Sequence, residues 1–277
     1  MDFAEQIRQH ALHLLGQGPA THDQLNNILR LFAKYRSVLV QNTIIQACGI
    51  RVQSGPFAGM EFLPGSAEGC HAPKLLGCYE RELHGVVESA IATGYDDIVS
   101  VGSAEGYYAI GLARRCPTAR HFAYDANPNA QQSCAALAAR NGVADRVTVR
   151  GTFTAAEFAA FRGRRAWFVV DIEGGELALL ETLPATELAD FDFLIECHDC
   201  IQSGASDRLA RRLAQTHQVR IVKQSNTPVT LPPLFDNLGH LDQLLAVWEW
   251  RSGATPWLLA ASQNRPDTPY MQAAQSP

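Results

Sequence analysis

The sequence predicts a doubly wound α/β domain built on a seven-stranded sheet, with an N-terminal helical extension and hairpin. Three observations carry this. Short β-branched runs alternate with Ala-rich helical segments from Tyr95 onward. Seven strand candidates recur at regular intervals, and a glycine turn joins the first of them to a helix.

The extension covers residues 1–63 and the main domain 64–277. Residues 1–47 read as helical: Thr21-His-Asp-Gln24 has capping-box form, and Leu25, Ile28, Leu29, Phe32, Tyr35 and Leu39 follow at three- and four-residue spacing. That stripe is expected to pack on the main domain; a homodimer contact through these helices and a substrate lid are the alternatives. Residues 50–63 alternate around Gly-Pro and Gly, a hairpin pattern. Residues 74–91 read as one further helix with Leu75, Leu76, Tyr79, Leu83, Val86 and Val87 on its apolar face.

The strand candidates are Ile98 to Val101, His121 to Tyr124, Val147 to Val149, Ala166 to Val170, Phe191 to Ile195, Val219 to Val222 and Trp257 to Ala260. Helices are expected at Tyr107 to Arg115, Pro128 to Asn141, Glu176 to Leu183 and Asp207 to Thr216. A parallel sheet is the expectation for such alternation. The Pro-rich tail from Arg265 is expected to fray.

Composition sets the class. With 47% hydrophobic and 18% charged residues in a chain of 277, a packed core is affordable and global disorder is excluded. A net charge of −5 argues against a protein that coats nucleic acid, whose affinity comes from neutralising phosphates. No signal-peptide-like or membrane-spanning apolar run occurs, so a cytoplasmic location without membrane partners is expected. Seven scattered cysteines suit reduced thiols rather than a disulfide framework.

The most informative segment is Ile98-Val-Ser-Val-Gly-Ser-Ala-Glu-Gly-Tyr-Tyr-Ala-Ile-Gly-Leu-Ala113, where a strand runs through Gly102 and Gly106 into a helix. Glycines there let backbone approach a ligand closely, and the helix start offers N–H groups at its positive end. Asp125 follows at the end of the second strand, where an acidic residue accepts hydrogen bonds from ribose hydroxyls in doubly wound folds. The dinucleotide fingerprint is absent, because Ala104 and Tyr107 stand where its second and third glycines belong, and no Gly-Lys-Ser/Thr marks a P-loop. A nucleoside without phosphate, S-adenosylmethionine, satisfies both features.

The chain resembles the class I S-adenosylmethionine-dependent methyltransferases, within them the FkbM-like group, over roughly residues 74–260. The segments that carry the resemblance are Val101-Gly-Ser-Ala-Glu-Gly-Tyr-Tyr108, Tyr124-Asp-Ala-Asn-Pro128, Asn141-Gly-Val-Ala-Asp-Arg-Val147, Val170-Asp-Ile-Glu-Gly-Gly-Glu176 and Ile195-Glu-Cys-His198. The resemblance implies a Rossmann-like sheet. It implies that Gly102, Ser103 and Gly106 line the methionine moiety, that Asp125 holds the ribose, that Thr152 and Phe153 border the adenine, and that Glu105 meets the cofactor's amino group. One departure stands out: Ser100 occupies a position where the family often carries an acidic residue.

Ligands of open α/β sheets bind beyond the carboxyl ends of the strands. The fourth and fifth strands end in Asp171, Glu173, Glu196, His198 and Asp199, the expected reaction site, with Asp171 also beside the cofactor. Methyl transfer needs an acceptor held in line and, for a hydroxyl or ammonium, a proton removed. His198 suits the base, with Glu196 or Asp171 orienting it. The same groups could hold a divalent metal, a less favoured alternative. Cys197 and Cys200 form a weak Cys-x-x-Cys signal lacking further zinc ligands at suitable spacing. Upstream, Tyr79 and Glu80 in Lys74-Leu-Leu-Gly-Cys-Tyr-Glu-Arg-Glu-Leu-His84 are expected to close over the cofactor or to belong to a plain amphipathic helix.

The expected function is therefore methyl transfer from S-adenosylmethionine to an oxygen or nitrogen of a small molecule, natural-product or sugar-like by the resemblance. A nicotinamide-dependent oxidoreductase, a non-catalytic cofactor-binding protein and, more weakly, a nucleic-acid methyltransferase are the rivals.

Overall fold

The structure, a computed structural model, describes residues 2–65, 70–225 and 228–265. Two helices, α1 (Phe3–Leu15) and α2 (His22–Cys48), precede a short helix α3 (Ala72–Leu76) and α4 (His84–Thr93). The α/β domain follows as β1 (Asp97–Val101), α5 (Tyr107–Arg115), β2 (Arg120–Tyr124), α6 (Pro128–Arg140), β3 (Val147–Arg150) and β4 (Ala166–Val170). It continues with α7 (Glu176–Glu181), α8 (Ala185–Leu188), β5 (Phe191–Glu196), α9 (Ala205–Leu213), β6 (His217–Val222), α10 (His240–Ala246) and β7 (Trp257–Ser262).

The strands form one seven-stranded sheet in the order β3-β2-β1-β4-β5-β7-β6, the Rossmann-like arrangement expected. The sheet is parallel except where β7 inserts between β5 and β6 and runs antiparallel to both. Strands β1, β4, β5 and β7 are buried along their whole length, so they read as apolar runs rather than alternations. Their side chains still alternate by face. Ile98, Trp167, Val169, Leu194 and Leu259 pack on one side with α4 and α5, while Val99, Phe168, Val170, Phe193 and Leu258 pack on the other with Phe158 and Leu209.

Thr21 caps α2 as expected, its side chain accepting from the Gln24 N–H at 3.1 Å. The predicted stripe is only partly buried: Ile28 faces inward, but Leu25 is 51%, Leu29 67% and Phe32 47% exposed. The buried face of α2 is formed instead by Ile28, Ser37, Val40 and Ile44. Val40 and Ile44 join Val52, Phe57, Met60 and Phe62 in the same core as α5, so the extension continues the main core. The hairpin expected at 50–63 reduces to a single antiparallel bridge, Arg51 to Glu61. The helix expected over 74–91 is broken, because Gly77 and Glu80 take positive φ values of 74° and 49° between α3 and α4. The tail beyond Arg265 lies outside the described residues. No helix among the described residues is long and apolar enough to cross a membrane.

Candidate active site

Beyond the carboxyl ends of β1, β2, β4 and β5 lie three adjoining pockets, and Asp171 lines all of them. The first, about 310 Å³, is walled by Gly102, Tyr124, Asp125, Asn127, Thr152, Phe153 and Glu173, among others, with no Lys or Arg. Asp125 is fixed there by its own turn: Oδ2 accepts from the Ala104 N–H and Oδ1 from the Asn127 N–H, both at 2.8 Å. Gly102 is required by close approach. At φ 81°, a Cβ would sit 1.6 Å from the Asp171 carbonyl oxygen.

The second is a small cavity of about 50 Å³ beneath the glycine turn, lined by Lys74, Tyr79, Ser100, Gly102, Ser103, Glu105 and Tyr107 among others. Lys74 and Glu105 form a buried ion pair at 2.6 Å. Burial opposes the ammonium's charge, but Glu105 holds the Lys74 pKa above its ordinary value. Ser100 is 3% exposed and its Oγ has no hydrogen-bond partner. Gly106 does not line this cavity; it starts α5 at φ 97°, against Cys134.

The third pocket, about 340 Å³, opens over Asp171, Glu173, Glu196, His198, Glu249 and Arg251. His198 sits within four carboxylates: Nδ1 lies 3.0 Å from Glu176 Oε1, and Nε2 lies 3.4, 3.7 and 3.8 Å from Glu173, Asp171 and Glu196. Burial disfavours the imidazolium, yet Glu173, Glu176 and Glu196 push the His198 pKa up to about 11. Glu176 is itself buried, and its charge is kept by His198 and by the backbone N–H groups of Ile172 and Gly174. Burial and the neighbouring Glu196 raise Asp171 above the ordinary carboxyl range. A third of its side chain is open to the cleft, so solvent tempers that shift.

Arg251 is the hub of the far wall. Its Nη2 donates to Glu80 Oε1 at 2.8 Å, its Nε to Glu249 Oε2 at 2.9 Å, and its Nη1 to Glu196 and Thr255. Glu80 also accepts from the Tyr108 hydroxyl at 2.5 Å, and burial, reinforced by Glu196, pushes its pKa up to about 8. Helix α2 braces this wall: Arg30 donates to the Trp250 carbonyl at 3.1 Å, the Trp250 indole N–H donates to Ser37 Oγ at 3.2 Å, and Lys34 lies 5.0 Å over the indole.

Four non-glycine residues with positive φ are found among the described residues: Glu80 at 49°, Ala104 at 45°, Glu173 at 53° and Trp250 at 64°. Ala104, Glu173 and Trp250 line the third pocket and Glu80 binds its Arg251. Such backbone is costly and persists where surrounding structure enforces it, commonly at functional sites.

The structure thus brings together Gly102, Ser103, Glu105, Asp125, Thr152, Phe153, Asp171, Glu173, Glu196 and His198 around one crevice. Asp199 turns away to cap α9, accepting from Ser206. Of the Cys-x-x-Cys pair, Cys197 is buried and Cys200 exposed, both as free thiols. Sequence reasoning missed Lys74, Glu176, Glu249 and Arg251 as site residues. Lys74 and Glu176 lay inside recognised segments; Glu249 and Arg251 had no local signal.

No family model matches the chain, and no curated protein matches it. Solved structures with a similar fold include the O-methyltransferase TomG from Streptomyces achromogenes, at 15% identity and TM-score 0.44, covering 64% of this chain and 78% of that one. An O-methyltransferase from Bacillus cereus is 13% identical, with TM-score 0.43 and coverage of 65% and 80%. The human methyltransferase 10 domain containing protein is 10% identical, with TM-score 0.47 and coverage of 83% and 96%. At these identities and TM-scores they are likenesses and no more.

Proposed function

We propose that this chain is an S-adenosylmethionine-dependent methyltransferase acting on an oxygen or nitrogen of a small molecule. The carrying observation is the crevice itself: a cation-free nucleoside pocket with Asp125 at its edge opens, at Asp171, into a cleft rich in carboxylates. A pyrophosphate cofactor is disfavoured because Ala104 and Tyr107 stand where the second and third glycines of a dinucleotide turn belong. A sulfonium nucleoside brings a positive charge to the acidic end, where it is electrostatically welcome. The chain's net charge of −5 favours a small acceptor over nucleic acid.

In this reading Gly102 and Asp125 position the nucleoside, Thr152 and Phe153 border its base, and Asp171 sits where the three pockets meet. The expectation that His198 is the base changes, since its carboxylate surroundings hold it as an imidazolium. Asp171, raised above the ordinary carboxyl range and open to the cleft, is the better proton acceptor, with Glu196 and His198 orienting it. Calorimetric titration tests the assignment: S-adenosylhomocysteine should bind at one site and NAD should not. Binding of NAD without S-adenosylhomocysteine would replace it by the oxidoreductase reading.

A second reading is favoured by one observation. Ligand atoms of Asp171, Glu196 and His198 lie within 4.8 Å of one another, and Glu176 holds His198 Nδ1, leaving Nε2 toward the carboxylates. Carboxylate–imidazole–metal relays are built this way. A divalent cation here would displace the imidazolium proton and polarise an acceptor oxygen. Methyl transfer that survives exhaustive chelation would eliminate this reading and leave the first.

A further inference from the structure

The N-terminal extension has no part in the mechanism above, yet it reaches the acceptor cleft. Lys34, near the middle of α2, lines the same pocket as Asp171, Glu196 and His198 and is half-buried there. Its ammonium lies 5.0 Å from the centroid of the Trp250 ring. Trp250 is itself pinned by α2: its indole N–H donates to Ser37 Oγ, and Arg30 donates to its carbonyl. The position of the ammonium is therefore built, on the wall that also carries Arg251.

Every other charged side chain lining this cleft stands beside an opposite charge. Arg251 takes Glu196 and Glu249, His198 takes Asp171 and Glu173, and Lys74 takes Glu105. Among the described residues, Lys34 has no carboxylate at ion-pair distance and donates no hydrogen bond; its one polar contact is the indole face. An ammonium over a ring keeps N–H donors for a further acceptor. Packing alone is a weak reason for the charge, since a methionine would cover the same ring through its thioether. The cleft thus holds one positive charge whose partner has to come from outside the chain.

We infer that the methyl acceptor carries a carboxylate, which Lys34 binds while the reacting oxygen or nitrogen lies at Asp171. The inference rests on the methyltransferase reading and makes Lys34 a specificity-determining residue supplied by the extension. Ser252, exposed and lining the same cleft, adds a hydroxyl donor. A single ammonium in a cleft that also holds Glu173 and Glu249 suits a monoanionic carboxylate and disfavours a dianionic phosphate ester.

Calorimetry on the full chain saturated with S-adenosylhomocysteine tests this with matched probes: 3-hydroxybenzoate, 4-hydroxybenzoate, 4-hydroxycinnamate and 4-aminobenzoate, each against its neutral amide. For at least one pair the wild type should prefer the acid by about tenfold or more, the scale of a charge-assisted hydrogen bond. Lys34→Met should bring that pair to parity with amide affinity held within about threefold, and Lys34→Arg should keep most of the preference. No acid outbinding its amide in wild type, a preference that survives Lys34→Met, or a parallel loss of acid and amide in that variant would overturn the inference. Tighter binding of 4-hydroxyphenyl phosphate than of every acid would overturn it as well. Failure of wild type to bind S-adenosylhomocysteine would instead strike the methyltransferase reading itself.

Discussion

The nucleoside half and the acceptor half of the crevice are built from different materials. Around Gly102 and Asp125 the site is made of backbone: a strand end, a turn held by two N–H bonds to Asp125, and the helix start behind them. Around His198 and Arg251 it is made of buried charge, with Glu80, Glu176, Glu196 and Glu249 sharing two cationic side chains. Steric fit governs the first half and titration governs the second. In the proposed reading the first sets the ligand class and the second orients the acceptor, so damage to each should differ in kind.

Gly102→Ala is the harshest break of the steric half. The new Cβ would overlap the Asp171 carbonyl at a φ that L-residues resist. We expect no measurable S-adenosylhomocysteine binding by calorimetry, and a loss of melting temperature of similar size at pH 5.5 and pH 8. A deficit that varied with pH would contradict the division between the halves.

Arg251→Met tests the charged half with the opposite signature. Removing a buried partner of hydrogen-bonded carboxylates typically costs about 3–5 kcal/mol. Without the guanidinium, which now holds it down, Glu80 should have a folded-state pKa raised still further above its unfolded one. Stability tied to a raised pKa is fully present below the unfolded value and lost as pH rises through the folded one. The variant's deficit should therefore be small near pH 4.5 and grow to pH 8. Wild type already carries part of this slope, because burial and Glu196 push Glu80 up to about 8. Glu80→Gln should flatten the decline between pH 4.5 and 8 in thermal melts; an unchanged slope would place its origin elsewhere.

The same division explains what could be seen in the sequence. Gly102 and Asp125 were legible because turn chemistry and strand ends are local properties, written within a few neighbouring residues. Asp171, Glu196 and His198 were legible because they end strands. Arg251 was not: its partners Glu196 and Glu80 lie 55 and 171 positions away, and a charge network of that span leaves no period to read. The α2 stripe misled for a related reason. Spacing shows that Leu25, Leu29 and Phe32 share a face, but not whether this chain covers that face. The break at Glu80 was hidden too, since a left-handed Glu is stabilised by distant contacts to Glu249 and Arg251.

The smallest expected effect asks whether the N-terminal helix belongs to the acceptor half. Arg30 donates to the Trp250 carbonyl, beside the left-handed Trp250 backbone that delivers Arg251 to its carboxylates. It touches nothing in the nucleoside pocket. Arg30→Met should cost roughly 1 kcal/mol, the usual worth of a hydrogen bond, and leave S-adenosylhomocysteine affinity unchanged. If α2 merely covers the core, that cost should add to the effect of Arg251→Met in the double variant. If α2 positions Arg251, the double variant should lose less than the sum, because once Arg251 is gone there is little left for Arg30 to hold in place. Chemical denaturation of the four proteins at pH 8, where the charged half is most strained, measures that difference directly.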